Sequence, residues 1–152
     1  MPSAQRDSPP ADATAAVAPL VEAFWSIQGE GRFVGQPMAF VRTATCPLRC
    51  TYCDTKHSYR ATPTADLRRP DGTRDTVANP ISAADVATWL IRYLPDRSPV
   101  SLTGGEPLVF PSFGRALGQA LRDAGHRLHL ETAALDPDAL ATVLPVVDHL
   151  SA

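Results

Sequence analysis

All three cysteines of the chain, Cys46, Cys50 and Cys53, stand within eight residues in the pattern C-x3-C-x2-C, and nothing else in the sequence limits its folding so tightly. An odd number of thiols this close together does not build a disulfide framework, because any pairing strands one of them. Such a cluster suits a soft metal ion or an iron–sulfur group. Structural zinc wants four Cys or His ligands, and His57 could complete a set, so the cysteines alone leave a Cys3His zinc site open.

The chain has 152 residues, a length that predicts one domain able to hide roughly 68–70% of its unfolded surface. Fourteen Lys and Arg against sixteen Asp and Glu leave a net charge of −2, which argues against the clustered basic surface of a nucleic-acid binder. No apolar run approaches the roughly 20 residues of a membrane span, and the start lacks the pattern of a signal peptide. The expectation is a cytoplasmic protein with no direct contact to nucleic acid or membrane. Residues 1–19 are rich in Ala and Pro and carry no aromatic side chain, a composition that predicts a disordered tail. One folded domain is expected over 20–152.

Residues 21–25 have strand composition, and Gln28-Gly29-Glu30-Gly31 reads as a glycine-punctuated loop. Residues 37–42 read as a second strand running toward the cysteines. From Lys56 to Pro80 the chain reads as a long polar loop or hairpin insertion, with Leu67-Arg68-Arg69 as a solvated part of it. Ser82 is a helix N-cap ahead of an acidic first turn. Val86, Leu90, Ile91 and Leu94 follow at helical spacing, and Pro95 ends that helix. Residues 100–102 make a strand, Phe113, Leu117 and Leu121 a second helical stripe, 127–130 a strand, 139–144 a short helix and 146–150 a last strand. Trp25 and Trp89 are expected in the core. His126, His129 and His149 stand in no motif and read as structural or surface residues.

This alternation predicts an α/β fold of parallel βα units. The cysteine loop, Thr103-Gly104-Gly105-Glu106-Pro107 and Glu131-Thr132 each follow a strand, and the C-terminal ends of parallel strands are where such folds place their sites.

The segment TCPLRCTYCDT, followed some fifty residues later by TGGEPL, resembles the radical S-adenosylmethionine (SAM) superfamily. In that superfamily three thiolates hold three irons of a 4Fe–4S cluster, and the open fourth iron takes SAM; a fourth cysteine would close the site. The flanks FWSIQGEGRFVGQPMAFVR, CDTKHSY and LHLETA narrow the likeness to the 7-carboxy-7-deazaguanine synthases. The resemblance implies a carbon–nitrogen lyase that contracts 6-carboxy-5,6,7,8-tetrahydropterin to 7-carboxy-7-deazaguanine with loss of ammonia, in queuosine or other 7-deazapurine biosynthesis. It also implies three cofactors, a 4Fe–4S cluster, SAM and Mg2+, with an electron donor such as flavodoxin and a homodimer. Two other classes stand beside it: a radical SAM activating enzyme that makes a glycyl radical on a partner protein, and a non-enzymatic zinc or iron–sulfur module.

Carried onto this chain, the resemblance assigns Cys46, Cys50 and Cys53 to the cluster. Tyr52, Cys53, Asp54, Gly105 and Glu131 fall to SAM, with Thr132 beside its ribose. Thr55 is assigned to Mg2+, a hard cation that prefers oxygen. Ile27, Gln28, Gly29, Glu30, Arg42 and Thr103 are assigned to the pterin. Arg42 is the residue for its carboxylate, because a planar guanidinium pairs with a carboxylate through two parallel hydrogen bonds. Read without the family, Arg42 is a solvated strand end, Gln28 and Glu30 are turn residues, Thr55 is an N-cap, and Glu131 pairs with an arginine. Family members follow the pattern Glu-Thr-x-Gly here, and Ala134 replaces that glycine in Glu131-Thr132-Ala133-Ala134. Family members continue for several dozen residues beyond Ala152. The fold implied is therefore a partial (βα) radical-SAM barrel, incomplete at its C-terminal side, for which the chain supplies about four strands. A chain truncated there is expected to be poorly stable or inactive alone.

Overall fold

The computed structural model describes residues 16–152. In chain order the strands are β1 (Val17–Ala18), β2 (Leu20–Ile27), β3 (Pro37–Thr43), β4 (Thr64–Arg68), β5 (Arg74–Ala78) and β6 (Ile81–Ser82). Helix α1 (Ala83–Tyr93), β7 (Pro99–Gly104), α2 (Pro111–Asp123), β8 (Arg127–Glu131), α3 (Pro137–Val143) and β9 (His149–Ser151) follow. Residues 1–15 of the expected tail lie outside the described residues. The remainder of that segment is ordered: β1 pairs antiparallel with β6, and Ala16 and Ala18 are buried.

Seven strands form one open sheet in the order β5-β4-β2-β3-β7-β8-β9. β3, β7, β8 and β9 run parallel; α2 joins β7 to β8 and α3 joins β8 to β9, as the βα alternation predicts, while the connection from β3 to β7 carries the β4–β5 hairpin before α1. The other side of the sheet differs from that expectation. β2 runs antiparallel to β3, and β4 and β5 form an antiparallel hairpin. The cause is connection length: residues 28–36 and 69–73 are too short for a parallel crossover, which needs about a dozen residues or more.

Alternation along the strands divides the sheet into two faces. On one, Ala23, Val41, Leu102 and Leu130 pack under Val86, Leu90, Phe113, Leu117 and Val143 of the helices in a single core. Trp25 and Trp89 pack against that core, half buried, as expected. Ser82 caps α1 by accepting from the Asp85 amide. The other face carries Glu22, Phe24, Phe40, Arg42, Ser101, Thr103, His129 and Glu131. Phe24 and Phe40 stack there at 5.2 Å. The loop after β2 folds back over this face and sets Phe33 against His129 and His149, with ring centres 4.6 and 4.7 Å away.

Two further expectations change. Leu67-Arg68-Arg69 is no solvated loop: Leu67 is buried in β4, Arg68 pairs with Glu22 over the Phe24 ring, and Arg69 pairs with Asp75 over the Tyr93 ring. Arginine stems cover apolar surface while their heads find carboxylates, so Arg69 is largely covered, whereas Arg68 keeps about half of its side chain in solvent. The last strand begins at His149, because Leu144–Val146 is a 3-10 turn built around Pro145, whose nitrogen has no proton to give a ladder.

Candidate active site

The C-terminal ends of β3, β7 and β8 are tied into one rim by backbone and carboxylate bonds. The Gly105 amide donates to the Thr43 carbonyl at 2.9 Å, and the Glu106 amide donates to the Thr45 carbonyl at 3.0 Å. Thr45 sits at φ +80°, a left-handed conformation that a β-branched residue rarely adopts. Its amide is held by the Ser58 carbonyl at 2.7 Å. Glu106, buried, accepts from the Leu108 and Ala133 amides and from the Thr132 hydroxyl, which joins β7 to β8.

The rim walls two cavities. The first, of about 350 Å³, is lined by Cys46, Cys50 and Cys53 together with Tyr52, Tyr59, Gly105 and Thr132. Arg49 braces the cysteine loop by donating to the Cys46 carbonyl at 2.7 Å, and its guanidinium lies 4.3 Å from the centre of the Tyr59 ring. A hydrogen bond with Tyr59 holds the Cys53 thiol below its ordinary value. The same bond pushes the Tyr59 phenol up to about 12. Tyr52 is 87% exposed and stands at the open edge of the cavity.

The second cavity, of about 320 Å³, is lined by Phe24, Ser26, Ile27, Gln28, Gly29, Phe40 and Arg42. Glu30, Asp54, Thr55, Thr103, Gly104 and Glu131 line both, so the two spaces share a wall. Every residue assigned to SAM or the pterin from the sequence lies on one cavity or both. Arg42 is not solvated: its side chain is 17% exposed and its Nε donates to Glu22 at 3.2 Å. Among the described residues its two terminal nitrogens take no protein acceptor. Glu131 pairs with no arginine; its Oε1 accepts from Gln28 Nε2 at 2.7 Å and from Ser101 Oγ at 2.8 Å. Gln28 is thereby more than a turn residue. Thr55 occupies an N-cap position without a side-chain capping bond. Its hydroxyl lies 3.8 Å from Cys53 Sγ, on the wall common to both cavities. Thr132 reaches the first cavity, but its hydroxyl is committed to Glu106.

Among the residues of the site that carry no assignment from sequence are Glu22, Ser101 and Tyr59, besides the wall residues Phe24 and Phe40 and the rim residue Glu106. Glu22 had a signal, a charge in the middle of an apolar strand. Tyr59 lay inside the quoted CDTKHSY segment, and nothing local to Ser101 marks it.

The donor set fits an iron–sulfur cluster better than zinc. His57 is exposed and is not among the residues lining the cysteine cavity. Among the described residues no three His, Cys, Asp or Glu side chains converge on a point where one ion would sit. Three thiolates lining one cavity, with no histidine beside them, match the ligand count of a cluster with one open iron.

Beside the second cavity, burial holds the His129 imidazole below the ordinary value of 6.5, and His149 reinforces the shift while Asp148 and Glu131 oppose it. The unfolded chain then binds more protons than the folded one just below that pH. Stability present above pH 6.5 is therefore expected to decline as the pH falls toward the lowered value. Urea unfolding from about pH 5 to about pH 7.5 checks this. The native chain should lose stability relative to His129→Gln as the pH drops, and parallel curves would refute it.

A sequence profile of the radical SAM superfamily matches residues 40–151. The chain is 43% identical over 138 residues to a 7-carboxy-7-deazaguanine synthase of Methanopyrus kandleri, covering 88% of this chain and 55% of that protein. It is 38% identical over 136 residues to the enzyme of the same name in Methanothermobacter thermautotrophicus, covering 88% and 48%. The crystal structure of QueE from Escherichia coli superposes with a TM-score of 0.59 at 27% identity, over 78% of this chain and 53% of that one. The chain thus spans about half the length of the curated relatives it matches.

Proposed function

The chain belongs to the radical SAM superfamily, and from that premise we propose that it serves as a 7-carboxy-7-deazaguanine synthase, contracting 6-carboxy-5,6,7,8-tetrahydropterin with loss of ammonia. The observation that carries this reading is the shared wall. The three cysteines face one cavity, Arg42 faces the other, and Thr103, Asp54, Thr55 and Glu131 border both. A carboxylate-bearing ring in the second cavity would therefore lie next to whatever the cysteines hold.

In this reading Cys46, Cys50 and Cys53 hold a 4Fe–4S cluster, and Tyr52, Asp54, Gly105 and Glu131 line the place for SAM. Together these groups supply the chemistry that removes a hydrogen from the pterin. The remaining work belongs to the chain. The free terminal nitrogens of Arg42 take the substrate carboxylate as a two-pronged pair. Phe24 and Phe40 give the ring an apolar wall. Ile27, Gln28, Gly29 and Glu30 close over it, and the Gln28–Glu131 bond fixes that loop to β8. Glu131 Oε2, which has no protein donor among the described residues, is left to accept from the pterin or the SAM ribose. Thr103 offers a hydroxyl on the common wall, and Thr55 offers an oxygen to Mg2+. A one-electron donor such as flavodoxin, a homodimer and a cytoplasmic setting complete the proposal. No helix among the described residues is long and apolar enough to cross a membrane.

The test is anaerobic. The chain is reconstituted with iron and sulfide, then incubated with SAM, Mg2+, a reductant and the carboxypterin, and the products are read by mass spectrometry. The expected product is 7-carboxy-7-deazaguanine. Arg42→Ala is expected to lower kcat/KM on the order of a hundredfold, the usual cost of removing one half of a buried charge pair. Cleavage of SAM by the loaded protein without any change in the pterin would overturn the substrate assignment.

A further inference from the structure

We propose that Glu22 is a positioning residue that sets which edge of the Arg42 guanidinium faces the second cavity, and so sets the preference for a carboxylate-bearing ligand. The proposal rests on the substrate reading given above. Glu22 stands on β2 directly opposite Arg42 on β3, with Asp66 of β4 on its other side. Its Oε1 accepts from Arg42 Nε at 3.2 Å, and its Oε2 accepts from Arg68 Nη2 at 2.8 Å. The Glu22 side chain is 15% exposed and both of its oxygens are committed, Oε1 to the covered Arg42 and Oε2 to the half-exposed Arg68.

A guanidinium offers a carboxylate two usable edges, one made by Nε with a terminal nitrogen and one made by the two terminal nitrogens. Glu22 occupies the Nε side. What remains is the end-on edge, and Arg42 lines the cavity with Phe24, Phe40 and Thr103. Without Glu22 the long Arg42 side chain would sample other rotamers, and ordering it again on binding would weaken the hold on the carboxylate several-fold. Arg68 would also lose the carboxylate that separates it from Arg42. The trio of Glu22, Arg42 and Arg68 carries one surplus positive charge, which suits a ligand with a single carboxylate. Asp66 does not alter this sum, because Arg74 pairs with it.

Orientation and field make opposite forecasts, and two conservative variants separate them. Glu22→Asp keeps the charge and shortens the reach by one methylene. Glu22→Gln removes the charge and keeps both the reach and an oxygen that can accept from Nε. Affinities of the cluster-loaded chain would be measured anaerobically by calorimetry, for 6-carboxytetrahydropterin and for the tetrahydropterin lacking the carboxylate. The readout is the preference ratio, the dissociation constant of the pterin lacking the carboxylate divided by that of the carboxypterin, which a general loss of packing would leave unchanged. Positioning predicts that Glu22→Asp lowers this ratio about fivefold while Glu22→Gln stays within about twofold of the native chain. An unchanged ratio in Glu22→Asp overturns the proposal, as does a fall in Glu22→Gln equal to or larger than that in Glu22→Asp. A native chain that binds the two pterins equally overturns the substrate reading itself, and the role of Glu22 with it.

Discussion

Gly104→Ala is expected to destabilise the fold by at least about 3 kcal/mol, enough to lower the melting temperature by about 10 °C in a chain of this size. Gly104 has φ +134°, a conformation closed to residues with a side chain. A methyl group there would stand 2.3 Å from the Thr43 amide nitrogen and 2.4 Å from the Thr43 carbonyl oxygen. Both obstructing atoms are backbone at the end of a central strand, so no rotamer change relieves the clash. Either β7 withdraws from β3 or the rim between them opens. Gly125→Ala is the comparison: its φ is +83° but nothing lies within 4 Å of the added carbon, so its cost should stay near about 1–2 kcal/mol. Thermal unfolding of both variants decides the matter, and equal losses would show that the close approach of β7 to β3 contributes nothing.

Replacing any one of Cys46, Cys50 or Cys53 by alanine is expected to have the opposite profile. All three thiols are half-exposed and free of disulfides. Removing one should therefore change the melting temperature of the metal-free chain by no more than about 2 °C, the range of a surface substitution. Iron bound after reconstitution should drop from about four per chain to well below one, because a cluster held by three protein thiolates has no spare ligand. Reductive cleavage of SAM should fall by at least about a thousandfold, since no other residue supplies that chemistry. Iron analysis, the visible spectrum and single-turnover cleavage read this together. A variant that keeps its iron and its SAM cleavage would remove the cysteines from the site.

The local elements on the helical side were legible in the sequence because local rules govern them. Ser82 caps α1 as its position predicts, and Leu117 and Leu121 bury the stripe that their spacing draws. The strand ends carrying Cys46, Thr103 and Glu131 were legible for the same reason, since glycine and polar motifs interrupt apolar runs there. What the sequence did not disclose depends on strands distant along the chain. The direction of β2 follows from its short connection to β3, yet its partnership with β4 could not be read from composition. The fate of Arg68 depends on Glu22, forty-six residues away. Ser101 looked like any small residue in a strand, and only the arrival of Glu131 at 2.8 Å gives it a role. Local pattern identifies which residues carry chemistry, and sheet order decides which of them meet.

The bond from Gln28 to Glu131 joins residues 103 positions apart, and Thr43 reaches Thr103 across 60. Contacts of this span reward the chain only after long loops have closed, and loop closure draws on conformational entropy before any bond forms. The helices and the β4–β5 turn can form early from near neighbours, whereas the polar face over β2, β3, β7 and β8 has to wait for the sheet order to be complete. High contact order of this kind slows folding. It also makes the two cavities report on the whole sheet, so a ligand that fits both binds a chain whose slowest folding step is already behind it.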